Sequence, residues 1–324
     1  MPPESEHHAL PHVLDARRRE FQDSNTGLIS FYSAAPAEGP DPEGSGPPPR
    51  PMLLIHSVNA AASAHEVRPL FEHFSRGRPV YALDLPGYGF SDRSDRAYLP
   101  RLMVDAIHAM VARIRSEFGQ QPVDALAVSL SSEFLARAAC EQPEAFRSLA
   151  LVSSTGFRRR TASGGQPGGN RGRPAVLRSL QLPVVGKALY NTLTTAPSIR
   201  FFLQKTWGSK QIDEQMFRDS YRMTRHPGAR HAPFYFLSGF LFSSDIREVL
   251  DALTHPVWLS HGVRGDFTDF SRAEEYAGEP NWRISVFQTG ALPYFEVPDA
   301  FCSAYEDFLD AAGGDGAVNP AIDR

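Results

Sequence analysis

Short apolar runs alternate with segments of helical spacing through most of this chain. Four runs, each long enough for one buried strand, lie at residues 52–55, 79–84, 123–128 and 148–152. The segments between them place apolar residues on one helix face, at residues 66–75, 102–118 and 131–141. Strands joined by helices of this length pair in parallel, because the chain crosses over the sheet between them. The alternation predicts an α/β fold with a doubly wound, mostly parallel sheet.

The alternation stops between residue 156 and about residue 251, where aromatic residues are frequent among helical patterns. Apolar runs return at residues 256–260 and 283–287, and a last helix is expected at 299–310. We interpret the interruption as a mainly helical cap inserted into the sheet domain. Aromatic side chains of this cap that face inward would favour a hydrophobic ligand.

The expected organisation therefore has five parts. They are an N-terminal tail with an edge strand and a Pro-rich loop (residues 1–50), the first part of the core (51–156), the cap (157–250), the second part of the core (251–312) and a flexible C-terminal tail (313–324). Within the N-terminal tail, residues 13–21 are expected to form a short helix and residues 28–33 the edge strand.

Composition excludes several classes of protein. The 324 residues include 33 Lys and Arg against 37 Asp and Glu, with 42% hydrophobic residues, so a sizeable core can be buried. A net charge of −4, with basic residues spread along the chain, argues against a nucleic-acid partner. No apolar run approaches the roughly 20 residues of a membrane span, and the N-terminus has no signal-peptide pattern. Two cysteines, Cys140 and Cys302, fit a reducing cytoplasm. We expect a cytoplasmic protein with small-molecule chemistry, and the oligomeric state stays open.

Ser129 lies between a predicted buried strand and a predicted helix. A sharp turn at this point would raise its hydroxyl above the edge of the sheet and leave the N–H of Leu130 free to donate. This arrangement is typical of a nucleophile elbow. The alternative is that Ser129 only caps the following helix.

The sequence around Ser129 resembles the α/β-hydrolase superfamily over roughly residues 28–309. The run Ala127-Val-Ser129-Leu-Ser131 stands where the family has Gly-x-Ser-x-Gly, with the next smallest side chains in place of both glycines. Asp84-Leu-Pro-Gly-Tyr-Gly-Phe-Ser-Asp92 is similar to a turn signature of the family. His56-Ser-Val58 looks like its His-Gly-x loop. The resemblance implies that the N–H groups of Val58 and Leu130 form an oxyanion hole.

The resemblance also assigns an acid. His261-Gly-Val-Arg-Gly-Asp266 resembles the loop that carries the family's acidic residue, and it is one residue longer than the commonest spacing. The acid position is therefore expected at Asp266, with Asp269 as the second choice. Alternatively, Asp266 only caps a turn or pairs with Arg264 or Arg272.

The position of the catalytic histidine carries an alanine. The family pattern Gly-His-x-Pro-x-x-Glu-x-Pro aligns with Gly290-Ala291-Leu-Pro-Tyr-Phe-Glu-Val-Pro298, and no histidine follows His261. Alanine has no proton to exchange, whereas a general base is typically worth about 10²–10⁴-fold in rate. We expect that another group activates Ser129, that the reaction needs no such base, or that the site binds without reacting.

His65 is the first alternative base to test, since it follows the expected oxyanion loop and could face the pocket. His56, His261, His226 and His231 are weaker candidates. We expect no metal site, because these histidines lack paired helical spacing and a companion cysteine. No phosphate-binding glycine loop of the nucleotide type occurs, so no organic cofactor is expected.

The leading hypothesis is a hydrolase of an ester, thioester or lactone bond in an apolar small molecule, acting through Ser129. The alternative is a pseudo-hydrolase, which binds or regulates through the same pocket without turnover. A lyase, isomerase or transferase on the same fold is a third possibility, because fold does not determine chemistry.

Overall fold

A computed structural model describes residues 12–36, 50–159, 164–265 and 269–313. These residues form one sheet of eight strands. The strands are β1 (Arg17–Asp23), β2 (Gly27–Ala34), β3 (Met52–Ile55), β4 (Val80–Leu83), β5 (Val123–Val128), β6 (Phe146–Val152), β7 (Val257–Gly262) and β8 (Trp282–Phe287). Their order is β1-β2-β4-β3-β5-β6-β7-β8, with β1 and β2 antiparallel to their neighbours and all other pairs parallel. The predicted mostly parallel α/β sheet is confirmed.

Helices cover both faces of the sheet. They are α1 (Arg68–Phe74), α2 (Pro100–Glu117), α3 (Ser131–Glu141), the short α10 (Pro293–Glu296) and α11 (Pro298–Gly313). Side chains alternate across a strand, so Leu53 and Ile55 of β3 pack in the cluster that includes α2 and α3. Met52 and Leu54 pack on the opposite face with α1 and α11. Burial on both faces explains why the strands read as continuous apolar runs.

The N-terminal prediction was wrong in two respects. Residues 13–21 were expected to be helical, but β1 occupies Arg17–Asp23 and pairs with β2 through a tight turn. Gly27 has a φ of 86°, which a residue with a side chain rarely adopts, and so it permits this turn. Phe21 packs on Phe31 across the pair, with ring centroids 6.0 Å apart. Long-range strand pairing therefore overrides the helical pattern, and the edge strand is β1 and not β2.

The described residues between β6 and β7 form six helices. They are α4 (Pro174–Gln181), α5 (Pro183–Leu193), α6 (Ala196–Trp207), α7 (Glu214–Met223), α8 (His231–Leu237) and α9 (Ile246–Asp251). We call residues 164–251 the helical insertion. The buried Glu133 of α3 accepts hydrogen bonds from Thr155 Oγ1 (2.5 Å), shortly after β6, and from the Ser243 N–H (2.8 Å) of the helical insertion, so it links the insertion to the sheet domain. The boundaries of the five expected parts stay predictions, and residues 1–11, most of the Pro-rich loop (37–49) and residues 314–324 lie outside the described residues.

No helix within the described ranges is long and apolar enough to cross a bilayer.

Candidate active site

Ser129 occupies a strained turn between β5 and α3. Its φ of 56° lies in the left-handed region, where a residue with a side chain is disfavoured. The turn is held because the Ser129 N–H donates to Val152 O at 2.8 Å and Ser129 O accepts from the Ser132 N–H at 3.1 Å. Backbone strain of this kind persists only where the surrounding structure enforces it, and it concentrates at functional sites. The structure thus places Ser129 on a sharp strand-to-helix turn.

The two positions that carry glycine in the family motif are fully buried here. Ala127 is the second-last residue of β5 and Ser131 begins α3, and neither is exposed to solvent. Ser132 Oγ donates to Ala127 O at 3.1 Å, so the start of the helix lies directly against the end of the strand. Small side chains are therefore sufficient for this packing.

The loop after β3 is held by a neutral histidine. The His56 ring is fully buried, accepts at Nε2 from the Leu85 N–H (3.0 Å) and donates from Nδ1 to Ser57 O (2.6 Å). Burial lowers the pKa of His56 to about 4, so the ring is neutral at physiological pH. His56 therefore positions the loop, and it does not line the cavity described below.

Val58 and Leu130 follow the carboxyl ends of β3 and β5. In the described part of the chain, neither backbone N–H has a hydrogen-bond acceptor. Val58 lines the cavity. Leu130 directly follows Ser129 and is the N-cap residue of α3. Backbone N–H groups without an acceptor can bind a negatively charged oxygen.

A cavity of about 310 Å³ lies at the carboxyl edge of the sheet, beneath the helical insertion. Its lining residues are Ser57, Val58, Asn59, Ala60, Ala61, Glu66, Val128, Ser129, Ser153, Leu193, Ile199, Phe202, Leu203, Thr206, Met216, Ser220, Pro233, Phe236, Leu237, Ala291 and Leu292. The loops after β3, β5, β6 and β8 each contribute, which is where parallel sheets place their sites. Most of the lining is apolar, and the volume suits a small molecule.

Glu66 is a residue that the sequence analysis missed. Its side chain is 2% exposed, and its oxygens accept from the Ser57 N–H and from Asn59 Nδ2, both at 2.7 Å. Burial raises the pKa of this carboxyl, and the donors from Ser57 and Asn59 partly offset the rise. Among the described lining residues, Glu66 has the one ionisable side chain. In the sequence, the only indication of a role for Glu66 is its position next to His65, because Glu66 belongs to no motif.

His65 lies behind the cavity wall. It is fully buried, with Nδ1 at 2.7 Å from Ser63 Oγ and Nε2 at 3.0 Å from Ser220 Oγ. Ser220 lines the cavity, whereas His65 does not. Burial, with smaller contributions from nearby positive groups, lowers the pKa of His65 to about 3. The expectation that His65 could face the pocket is therefore corrected, because both ring nitrogens are engaged inside the protein.

Ala291 follows β8 and lines the cavity. Its N–H donates to Thr206 O at 2.9 Å, and its carbonyl accepts from Ser153 Oγ at 2.6 Å. A side chain at the neighbouring Gly290 would collide with the backbone of Trp207, so α6 packs directly on this loop. No histidine lines the cavity among the residues that the structure describes.

The predicted acid, Asp266, lies outside the described residues. Asp269, the second choice, is on the surface, where it accepts from Ser271 Oγ at 2.7 Å, and that hydrogen bond lowers the pKa of Asp269. His261 stacks on Phe270 with ring centroids 4.0 Å apart, and its Nδ1–H donates to Gly262 O at 3.0 Å. The structure does not bring Asp269 or His261 to the cavity wall.

The remaining histidine candidates bind backbone carbonyls. Nδ1 of His226 donates to Pro227 O at 2.9 Å, and Nδ1 of His231 donates to Arg93 O at 3.0 Å. Within the described ranges, no group of three or more His, Cys, Asp or Glu side chains could hold a metal ion.

A sequence model of the alpha/beta hydrolase fold matches residues 50–238, more than half of the chain. The chain therefore belongs to the α/β-hydrolase family. Among curated proteins, no sequence matches it.

Solved structures with the same fold are distant in sequence. A serine hydrolase involved in carbazole degradation is 15% identical, with a TM-score of 0.68 over 91% of this chain and 99% of that one. A meta-cleavage product hydrolase from Pseudomonas fluorescens is 15% identical, with a TM-score of 0.64 over 88% and 95%. An esterase from Exiguobacterium antarcticum is 14% identical, with a TM-score of 0.65 over 90% and 98%. At these identities, the likeness extends to the fold alone.

Proposed function

We propose that this protein hydrolyses an ester, thioester or lactone bond of an apolar small molecule, with Ser129 as the nucleophile. The observation that carries the proposal is the strained Ser129 turn, with a φ of 56°, on the wall of an apolar cavity. A serine that only capped α3 would need neither this strain nor the cavity.

The lining selects the substrate class. Ile199, Leu203, Met216 and Phe236 of the helical insertion face the cavity, so an apolar acyl or alcohol group gains by burial there. A volume of about 310 Å³ limits the ligand to a small molecule. The reacting carbonyl would lie between Ser129 and Val58.

The proton path uses the cavity's carboxylate. Ser129 Oγ attacks the carbonyl carbon, the N–H groups of Val58 and Leu130 hold the oxyanion, and Glu66 receives the serine proton, directly or through one water. Collapse of the tetrahedral intermediate releases the alcohol or thiol, which takes that proton. A water molecule then attacks the acyl group on Ser129 by the same path, giving the carboxylic acid and free Ser129.

Glu66 suits this role because of its surroundings. An ordinary carboxylate is a weak base near neutral pH, but burial raises its pKa toward the working range of a general base. Glu66 also accepts a hydrogen bond from the N–H of Ser57, one residue before Val58. The general base and the loop that holds the oxyanion are therefore directly connected.

A pseudo-hydrolase that binds an apolar ligand without turnover is the second candidate. It is favoured by the methyl group of Ala291 and by the lack of a histidine among the described lining residues. The two functions differ in one measurable property, which is whether Ser129 becomes acylated.

The deciding experiment is labelling with a fluorophosphonate probe, followed by burst acylation with a chromogenic ester of a medium-length acid. Ser129→Ala should abolish both signals. Ser153→Ala is the matched control, because Ser153 also lines the cavity but its hydroxyl is bound to Ala291 O. Labelling that is absent from the wild type, or equal in Ser129→Ala, would refute the nucleophile and favour the pseudo-hydrolase.

We also propose a cytoplasmic location. Cys140 and Cys302 are both free thiols, which suits a reducing compartment.

A further inference from the structure

Helix α5 exposes apolar residues on the side that faces away from the protein. Its buried residues are Gly186 and Tyr190, one helical turn apart. On the opposite side, Val184 is 81% exposed and Val185 is 48% exposed. A helix that is apolar on its outer side is normally covered by another surface.

The neighbouring helices continue this exposure. Ten large hydrophobic residues are exposed among the described residues, and seven of them lie between residues 176 and 202. We call these seven the apolar face: Val176, Leu182, Val184, Val185, Leu189, Phe201 and Phe202. Single exposed apolar residues are normal on a soluble protein, but a concentration on three successive helices marks an interaction site.

The charged residues in the same segment are all basic. Residues 171–212 contain no Asp or Glu, although the whole chain has a net charge of −4. The seven basic residues of this segment are Arg171, Arg173, Arg178, Lys187, Arg200, Lys205 and Lys210. Arg200 is paired with Glu214 of α7, whereas Arg171, Arg173, Arg178 and Lys187 are exposed. The surface around the apolar face therefore has one sign of charge.

The apolar face is continuous with the cavity. Val185, Leu189 and Leu193 are spaced four residues apart, so they form one stripe along α5. The first two are exposed, and Leu193 lines the cavity. Phe202 is likewise exposed and lines the cavity, as does Leu237 at the end of α8. An apolar path thus leads from the outer surface to the site of Ser129.

We propose that the apolar face docks on an anionic lipid bilayer, so that apolar molecules dissolved in the membrane enter the cavity between Leu193, Phe202 and Leu237. Apolar side chains surrounded by lysine and arginine are the pattern of helices that lie in the interface of negatively charged membranes. The docking requires no chemistry at Ser129, so it is independent of the proposed hydrolysis.

Charge argues for this occupant over a second copy of the chain. A twofold dimer through the apolar face would place the basic segment of one copy against the same segment of the other. Juxtaposed like charges disfavour such a contact. An acidic partner protein would satisfy the charge, and the experiment below distinguishes it from lipid.

The test is cosedimentation of the full chain with phosphatidylcholine vesicles, with and without phosphatidylserine. Binding is expected only with phosphatidylserine and should weaken as salt is added. Val184→Ser and Lys187→Glu should each lower the partition coefficient, by about tenfold for the valine. Val263→Ser and Arg76→Glu are matched controls, because both residues are exposed outside the helical insertion and should leave binding unchanged.

Three results would overturn the proposal. They are no binding to phosphatidylserine vesicles, equal binding to both vesicle types, and a dimer in sedimentation analysis that Val184→Ser dissociates without any vesicle binding. An acidic partner alone would give the first of these. Ser129→Ala should bind vesicles as the wild type does, which keeps this test separate from the test of hydrolysis. Circular dichroism of each variant verifies folding.

Discussion

The carboxylate of Glu66 accepts a 2.7 Å hydrogen bond from the backbone N–H of Ser57, one residue before Val58. An ionisable group is thereby connected to the loop that would hold an oxyanion. The second oxygen of Glu66 accepts from Asn59 Nδ2 on the same loop. The site lacks an imidazole among its described lining residues, but it retains one group that can exchange a proton.

Replacing Glu66 with glutamine should abolish the pH dependence of acylation. The pKa of Glu66 is raised by burial, so the wild-type rate should rise with pH and level off above that raised pKa. Glu66→Gln should lower the rate by about 10²-fold or more and flatten the profile. A pH series of burst rates measures both effects. An unchanged profile would mean that Glu66 only positions the loop.

Stability offers an independent measurement on the same residue. A carboxyl with a raised pKa in the folded state binds more protons when folded than when unfolded. Its contribution to stability is therefore complete below the unfolded pKa of about 4.3 and is lost as pH rises through the folded value. Thermal unfolding should show the wild type losing stability relative to Glu66→Gln as pH rises. A difference that is constant with pH would contradict the raised pKa.

Introducing histidine at position 291 should raise esterase activity. Ala291 lines the cavity, so we expect an imidazole at this position to enter the site, and the backbone hydrogen bond from Ala291 to Thr206 does not depend on the side chain. A general base is worth about 10²–10⁴-fold, and the gain should disappear in the double variant with Ser129→Ala. Ala291→Gln is the matched control for added bulk. No gain in Ala291→His, with the fold intact, would place position 291 out of reach of Ser129.

The fold could be predicted because local patterns and tertiary structure agree over most of the sheet. Val123–Val128 and Ser131–Glu141 have the predicted bounds, since a buried strand followed by an amphipathic helix leaves little alternative. The prediction of a helix at residues 13–21 was wrong because this segment contributes to β1, whose pairing partner β2 is formed by later residues. Pairing between strands is a long-range property that local spacing does not contain.

The site could be predicted only in part. The turn at Ser129 and the alanine at position 291 follow from motifs, since both depend on residues adjacent in sequence. Glu66 and Ser220 could not be found in this way, because they meet the cavity from a short 3₁₀ turn and from the helical insertion. The engagement of His65 by Ser220, 155 residues away, likewise depends on tertiary structure.

Replacing His65 should change stability and leave the pH profile of activity unchanged between pH 5 and 8, because its pKa of about 3 keeps the ring neutral there. His65→Gln should destabilise the protein by about 1–3 kcal/mol at pH 8, since Ser63 and Ser220 lose their buried partner. The pKa of His65 is lower in the folded state than when unfolded. Its contribution is thus present above the unfolded pKa of about 6.5 and is lost as pH falls toward about 3.

The measurement is thermal unfolding of both proteins from pH 8 to pH 4. The advantage of the wild type over His65→Gln should shrink as the pH falls. A shift in the pH profile of activity in His65→Gln that the loss of stability does not explain would instead indicate that His65 acts as a general base through Ser220.

Replacing Ser129 with glycine should stabilise the protein while abolishing acylation. The φ of 56° costs a residue with a side chain about 1–2 kcal/mol, and glycine adopts it without this cost. Ser129→Gly should therefore unfold at higher temperature than Ser129→Ala, which lacks the hydroxyl but keeps the strain. Gln120→Gly is the matched control, because Gln120 is an exposed residue with a φ of 66°. It should gain similar stability and retain labelling. If Ser129→Gly and Ser129→Ala unfold at the same temperature, the turn stores no strain, and the main support for Ser129 as a nucleophile is removed.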